Sequence, residues 1–219
     1  MASRRLNLPN AITGARILAC PVIFALILSP QVGHLMAGFI LFLAASLSDL
    51  WDGYLARKHG WITDTGKLLD PIADKLLLVA TFIPFYMVSH SGDPVNHVPW
   101  WGPLPLWVVV VIFGREILVT GFRMWAARRG SVLSAGWSGK VKAFIQNIFS
   151  GGLILWYALY RMALERGWEG TTAWTAWAGF HRTVVALTLG AAVFLTVYSM
   201  GVYMWENRRL LRGDAEAPG

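Results

Sequence analysis

Residues 49–74 read DLWDGYLARKHGWITDTGKLLDPIAD and carry four carboxylates, Asp49, Asp52, Asp70 and Asp74, between strongly apolar stretches. On helices, a spacing of three in the first pair and four in the second places each pair on one face. Two such helices side by side would direct four acids toward one another, which is very costly at membrane depth unless a cation neutralises them. We therefore predict a metal site, and an all-oxygen ligand set suits Mg²⁺ or Mn²⁺.

The composition is that of a membrane protein. The 219 residues are 56% hydrophobic and only 14% charged, with a mean hydropathy of +0.51, whereas soluble domains carry about 25% charged residues. The net charge is +7, but the basic residues cluster at the ends of apolar runs, so a bilayer explains them better than nucleic acid does. The single cysteine, Cys20, cannot form an intrachain disulfide.

Six apolar stretches are long enough to span a hydrocarbon core, which needs roughly 20 residues. They predict transmembrane helices at Ala11–Ser29, Leu35–Arg57, Leu68–Ser89, Leu104–Ala127, Val141–Leu164 and Arg182–Trp205. The Gly92–Pro103 and Gly167–Gly179 segments break the pattern between spans. We predict an all-α polytopic membrane protein with one domain over residues 1–219, including a lead-in over residues 1–10 and a tail over residues 207–219. Within the lead-in, Ser3–Asn10 either lies in the membrane interface or is frayed.

The placement of lysine and arginine predicts the orientation. Of the 19 basic residues, only Arg161, Arg166 and Arg182 lie on the side opposite the N terminus. By the positive-inside rule the N-terminal side is cytoplasmic, so both termini and the acidic site face the cytoplasm. We expect an integral protein of a cell (inner) membrane, bacterial or organellar.

The residues around the acids suit chemistry at phosphorus. Gly53 and Ala56 lie on the acidic helix face and have little or no side chain, so a ligand can approach the backbone there. Arg57 follows at the end of that helix, where its fork of donors suits a phosphate. Carboxylates, two metal ions and an arginine are the groups that enzymes use to catalyse nucleophilic displacement at phosphorus. The alternative is that the acids are scattered loop residues, or salt-bridge partners of Arg57, Lys67 and Lys75.

The acidic motif resembles a known signature. D-x2-D-G-x2-A-R-x8-G-x3-D-x3-D is the pattern of the CDP-alcohol phosphotransferase family, and all eight positions match: Asp49, Asp52, Gly53, Ala56, Arg57, Gly66, Asp70 and Asp74. The resemblance implies that Asp49, Asp52 and Asp70 hold two divalent metal ions, while Asp74 binds the second ion and serves as the general base. It also implies contacts with the CDP moiety from Asn10, Thr13, Asp52, Gly53, Ala56, Arg57, Thr63 and Gly66.

Two further stretches resemble phosphatidylglycerophosphate synthases within this family. Gly114-Arg115-Glu116-Ile117, with Arg123, resembles their REI…R segment, and the stretch from Ser138 to Lys142, followed by Gln146, resembles GKxKT…Q, with Ala143 where threonine is usual. The opening NLPNAITGARI, which includes Arg16, is also similar to that subfamily. These segments contain four basic residues that could together bind the phosphate of the acceptor: Arg115, Arg123, Lys140 and Lys142. The alternatives are membrane anchoring for Lys140 and Lys142, and a structural ion pair for Arg115 with Glu116.

The resemblance implies transfer of a phosphatidyl group from CDP-diacylglycerol to sn-glycerol 3-phosphate, with release of CMP, by a homodimer. Other members of the family use another acceptor, such as inositol phosphate, phosphatidylglycerol or serine. From a different class, a divalent-cation transporter would use the acids as a translocation pathway. A purely structural membrane subunit leaves the buried acids without a purpose.

Overall fold

The computed structural model describes residues 8–59, 64–129 and 137–208. Its six α-helices are Leu8–Leu28 (α1), Val32–His59 (α2), Asp64–Ser89 (α3), Leu106–Arg128 (α4), Trp137–Arg166 (α5) and Thr172–Glu206 (α6). The connection from α3 to α4 contains a short 3-10 helix, Pro94–Asn96, and one antiparallel bridge between Val98 and Gly102. The predicted all-α fold is confirmed for the described residues.

The first five helices begin and end within four residues of their predicted bounds. The last three residues of the predicted lead-in, 8–10, form the start of α1, and residues 1–7 lie outside the described part of the chain. The break predicted over Gly167–Gly179 is wrong from residue 172 onward, where α6 begins. Gly167, at a φ of +66°, ends α5 in the left-handed conformation that glycine adopts without strain.

The early start of α6 has two physical causes. The side chain of Thr171 caps the helix by accepting a hydrogen bond from the Trp174 amide at 3.3 Å. The rings of Trp174 and Trp177 then stack on Trp156 of α5, with centroids 6.2 Å and 6.1 Å away. Tertiary packing between α5 and α6 therefore extends the helix through Gly179, a residue that sequence pattern alone treats as a break.

Within the part of the chain that the structure describes, four helices are long and apolar enough to cross a membrane, at Asn10–Leu28, Leu69–Ser89, Trp137–Arg166 and Thr172–Glu206. In α2 the apolar segment among the described side chains is shorter, Val32–Ser48. In α4 the stretch is interrupted by Arg115, Glu116 and Arg123. Large apolar side chains along the helices are exposed, as expected for contact with lipid: Leu18, Ile40, Val110, Ile117, Leu187 and Phe194. The chain is an integral membrane protein with several apolar helices.

The six helices form a closed ring. Within the described residues, each helix packs mainly against two others, in the order α1, α2, α5, α6, α4, α3 and back to α1. Hence α1 lies between the two helices that carry the acidic motif. A fully buried aromatic cluster fills part of the ring's interior, and its members are Phe82, Phe85, Phe149 and Tyr157.

Candidate functional site

A cavity of about 860 Å³ lies inside the ring of helices and takes lining residues from all six of them. On α3 the lining runs from Asp74 to Thr81, and on α5 from Gly139 to Leu155. The aromatic rings of Phe82 and Phe149, 5.5 Å apart between centroids, lie directly beyond Thr81 and beside Ser150. This buried aromatic layer marks the end of the lining on α3, whereas on α5 the lining continues past Phe149 to Leu155.

Two of the four motif acids have described side chains, and both contact α1. Thr13 Oγ1 donates a hydrogen bond to Asp70 Oδ1 at 3.1 Å. One helical turn further on, Arg16 Nη1 lies 3.4 Å from Asp74 Oδ1. Thr13 and Arg16 are almost completely buried. Because residues three apart on α1 meet residues four apart on α3, the two acids share the helix face that the spacing predicts.

The other half of the acidic motif is described only by its backbone. Positions 49, 52, 53, 56 and 57 lie in the second half of α2. Their side chains are outside the described residues, as is Thr63 altogether. Gly66 lies in the first turn of α3 and Asn10 in the first turn of α1. Among the described side chains, no three of His, Cys, Asp or Glu lie together. The ligand set predicted from the aspartates, and the contacts predicted with CDP, therefore stay predictions.

The chemistry of the described donors fits a hard divalent cation. Asp70 and Asp74 offer carboxylate oxygens from one face of α3. Carboxylate oxygens are the ligands that Mg²⁺ and Mn²⁺ prefer, whereas softer metals favour imidazole and thiolate. The single cysteine, Cys20, is buried in the apolar core.

The basic residues predicted from the second motif line the same cavity, from α4 and α5. Arg115 and Lys142 are buried, at 9% and 4% exposure. Both donate hydrogen bonds to the same carboxylate oxygen of Glu116, Arg115 Nη1 doing so at 3.0 Å. Lys140 is exposed at the start of α5, and the Arg123 guanidinium lies 5.4 Å from the centroid of the Tyr203 ring. The ion pair that we considered for Arg115 and Glu116 is thus present, and it includes Lys142.

Two of these arginines retain buried donors. Within the described part of the chain, Nε of Arg115 and Nε of Arg123 have no hydrogen-bond partner. Buried guanidinium nitrogens without partners are costly, and an anion in the cavity would satisfy them. All four predicted cations line the cavity together with Asp74. The cavity therefore joins the acidic motif and the basic segment, which are 41 or more positions apart in the sequence.

Apolar residues open the cavity toward the bilayer between α2 and α5. Leu43, Leu47 and Phe144 line the cavity and are also 43%, 48% and 59% exposed. Deeper in the ring the gap narrows, since a Cβ on Gly151 would lie 3.3 Å from the Phe42 ring. A ligand with a polar head and apolar chains can therefore reach the charged walls from the side.

The sequence analysis assigned no role in the site to three of its polar residues. Arg16 carries a buried charge in the first span, Lys75 Nζ donates to Thr120 Oγ1 at 2.8 Å, and Glu116 joins two cations. All three line the cavity. Their positions in the sequence could have identified them, because an ionisable residue inside an apolar span is a candidate functional residue by default.

Comparison with known proteins points to one family. A model of the CDP-alcohol phosphatidyltransferase family matches residues 6–205, which covers all six helices except Glu206, the last residue of α6. A Bacillus subtilis protein named CDP-diacylglycerol–glycerol-3-phosphate 3-phosphatidyltransferase is 40% identical over 162 residues, 68% of this chain and 77% of that protein. A Mycobacterium tuberculosis protein named probable phosphatidylglycerophosphate synthase is 38% identical over 157 residues, 70% of this chain and 68% of that protein. A Salmonella choleraesuis protein with the same name as the Bacillus one is 30% identical over 200 residues, 90% of this chain and 93% of that protein.

Proposed function

Because this chain belongs to the CDP-alcohol phosphatidyltransferase family, we propose that it condenses CDP-diacylglycerol with sn-glycerol 3-phosphate to give phosphatidylglycerophosphate and CMP. The family predicted from the aspartate motif is confirmed, and with it the prediction of a transferase in phospholipid synthesis. The acceptor is our proposal, supported by the names of the relatives and by the cavity.

The observation that carries the proposal is the shared cavity of Asp74 and the four cations. Arg115 and Lys142 are buried beside one carboxylate, and Nε of Arg115 still lacks a partner among the described residues. An acceptor with a phosphate group gives these cations a common ligand, whereas serine brings no phosphate to the cavity. The lateral opening between α2 and α5 favours a donor that is a lipid.

In the proposed reaction, a hydroxyl of glycerol 3-phosphate attacks the phosphorus that carries the diacylglycerol. A new P–O bond forms, the bond between that phosphorus and the CMP phosphate oxygen breaks, and CMP leaves with the electron pair. Asp74 would accept the hydroxyl proton, and its exposed carboxylate, with 62% of the side chain accessible, suits that role. Arg115, Arg123, Lys140 and Lys142 would hold the acceptor phosphate and thereby orient the hydroxyl.

The proposed cofactor is a pair of Mg²⁺ or Mn²⁺ ions held by Asp49, Asp52, Asp70 and Asp74. When bound, such ions neutralise charge on the pyrophosphate and at the leaving oxygen. Thr13 would restrict the orientation of Asp70 through their hydrogen bond, and Arg16 would do the same for Asp74. For the CDP moiety we propose the residues of the motif: Asn10, Thr13, Asp52, Gly53, Ala56, Arg57, Thr63 and Gly66.

The same proposal includes the membrane topology. The lysine and arginine distribution supports six spans with both termini and the cavity on the cytoplasmic side of a cell (inner) membrane, in one domain. The charged residues inside the apolar stretch of α4, Arg115, Glu116 and Arg123, line the cavity rather than facing lipid. An α4 that spans the membrane is therefore compatible with its lower hydropathy. A homodimer rests on the family resemblance alone, and light scattering of the purified protein in detergent tests it.

The proposal is tested by CMP release from the purified protein with CDP-diacylglycerol, Mg²⁺ or Mn²⁺, and a panel of acceptors. The panel contains glycerol 3-phosphate, inositol phosphate, serine and phosphatidylglycerol. Turnover with glycerol 3-phosphate that is lost in Asp74→Asn and kept in Asp93→Asn is the expected result. Turnover with another acceptor alone would overturn the proposed substrate, and release of CMP by Asp74→Asn at the wild-type rate would overturn the proposed base.

A further inference from the structure

The carboxylate of Glu116 is the shared partner of two buried cations in the cavity, Arg115 and Lys142. Arg115 Nη1 and Lys142 Nζ both donate to Glu116 Oε1. Arg115 Nη2 also contacts Ser199 Oγ at 3.4 Å, so the group connects α4, α5 and α6. The Glu116 side chain is 19% exposed and lines the cavity.

Two buried cations side by side repel each other and need a counter-charge. Glu116 supplies that charge when the cavity holds no acceptor. A phosphate bound by Arg115 and Lys142 would take over part of this neutralisation and would at the same time face the Glu116 carboxylate. Like charges a few ångströms apart in a partly desolvated site oppose each other.

On this basis, and resting on the proposed function, we propose that Glu116 is a positioning residue that sets the affinity of the phosphate site. It holds Arg115 and Lys142 in place while the cavity is empty, and its negative charge lowers their affinity for phosphate. The product keeps the phosphate monoester of the acceptor, so the same weakening speeds product release.

The variant that tests this role is Glu116→Gln, which keeps the shape and a hydrogen-bond acceptor but removes the charge. Its matched control is Glu165→Gln, the same change at an exposed position near the end of α5, outside the cavity. Binding of sn-glycerol 3-phosphate and of inorganic phosphate is measured by calorimetry in detergent without divalent metal, so that neither probe binds through a metal ion. CMP release at saturating CDP-diacylglycerol then gives kcat and KM for glycerol 3-phosphate.

The expected result is tighter binding of both probes by about tenfold, or about 1.4 kcal/mol, in Glu116→Gln and not in Glu165→Gln. KM for glycerol 3-phosphate should fall, and kcat should fall with it because release of the product slows. The melting temperature without ligand should decrease, and the increase on adding glycerol 3-phosphate should be larger than in the wild type.

A purely structural role for Glu116 predicts a different pattern. Binding that is unchanged or weaker in a folded Glu116→Gln protein would overturn the inference while leaving the proposed function intact. If the wild type itself binds neither probe and releases no CMP with glycerol 3-phosphate, the proposed acceptor is wrong and this role of Glu116 is wrong with it.

If Glu116→Gln does not fold, the effect of the Glu116 charge on phosphate affinity can be measured in the Lys142→Gln background. Removing one cation together with the shared carboxylate leaves fewer unpaired buried charges. The double variant Glu116→Gln/Lys142→Gln should bind glycerol 3-phosphate more tightly than Lys142→Gln alone, and equal affinities would contradict the proposal.

Discussion

Arg16 Nη1 of α1 lies 3.4 Å from Asp74 Oδ1 of α3, and the two side chains differ in exposure, 1% for Arg16 against 62% for Asp74. The arginine thus contacts the proposed base from the protein interior while the carboxylate faces the cavity. A buried guanidinium is held in place by its surroundings, so it restricts the orientation of the carboxylate that it contacts. Catalysis by a general base depends on such orientation before it depends on proton affinity.

Replacing Arg16 by glutamine should lower kcat/KM for CMP release by about ten- to a hundredfold, because hydrogen bonds to charged groups contribute roughly 1.5–3 kcal/mol. Arg16→Lys should retain part of the activity, since the charge stays but the planar fork is lost. Arg208→Gln, at an exposed position near the end of α6, serves as the control. Wild-type kinetics in Arg16→Gln would show that Asp74 needs no support from α1.

The hydrogen bond from Thr13 to Asp70 predicts a dependence on metal concentration. In Thr13→Val the shape of the side chain stays but the donor to Asp70 Oδ1 is lost. We expect the Mg²⁺ concentration for half-maximal CMP release to rise about fivefold, as the loss of roughly 1 kcal/mol implies. Thr13→Ser keeps the hydroxyl and should resemble the wild type, so identical Mg²⁺ curves for Thr13→Val and Thr13→Ser would count against the contact.

Ala143 allows a gain-of-affinity test of the basic wall. It lines the cavity directly after Lys142, at the threonine position of the GKxKT…Q pattern that this segment resembles. Ala143→Thr adds a hydroxyl donor, and one neutral hydrogen bond of about 0.5–1 kcal/mol should lower KM for glycerol 3-phosphate two- to fivefold with kcat unchanged. Ala143→Val has nearly the same shape without the hydroxyl. Equal KM values for the two variants would place residue 143 outside the acceptor site.

The aspartate motif predicted the family, and the hydropathy pattern predicted the helical fold and the bounds of five of the six helices closely. Both signals depend on residue spacing along a single helix, which is a local property of the sequence. Asp70 and Asp74 do share a face, and their contacts with Thr13 and Arg16 join positions 57 and 58 residues apart. Such contacts depend on which helices are neighbours, and no periodicity within α1 or α3 contains that information. The motif positions on α2 have described backbones only, so their ligand roles remain predictions.

The misplaced start of α6 and the role of Glu116 share a cause. From the sequence, Gly179 indicates a break between helices, whereas the stacking of Trp174 and Trp177 on α5 keeps this segment helical. Glu116 reads as the partner of its neighbour Arg115 until α5 brings Lys142 to the same oxygen. In both cases a contact between helices decides the outcome, and local propensity is the weaker term.

At the opposite end of the ring, Asp93 predicts a pH dependence of stability that is independent of catalysis. Arg161 Nη2 donates to Asp93 Oδ2 and to Asn96 Oδ1, both at 2.8 Å, which attaches the connection between α3 and α4 to α5. The Val95 amide, which donates to Asp93 Oδ1 at 3.0 Å, and then the Arg161 guanidinium hold the pKa of the Asp93 carboxyl below its ordinary value.

Because this pKa is lower in the folded state than the roughly 3.9 of an unfolded aspartate, the ionised carboxylate stabilises the fold above about pH 4. That contribution is lost as the pH falls through the folded-state pKa. The melting temperature of Asp93→Asn in detergent should therefore lie below that of the wild type at pH 7, and the gap should close as the pH is lowered from 5 toward 3. Arg161→Gln should lower the melting temperature at pH 7 as well, and adding Asp93→Asn to it should cost less than in the wild type, because the two residues act on one contact. A gap between wild type and Asp93→Asn that stays constant down to pH 3 would mean that the carboxylate's charge contributes nothing to holding this connection.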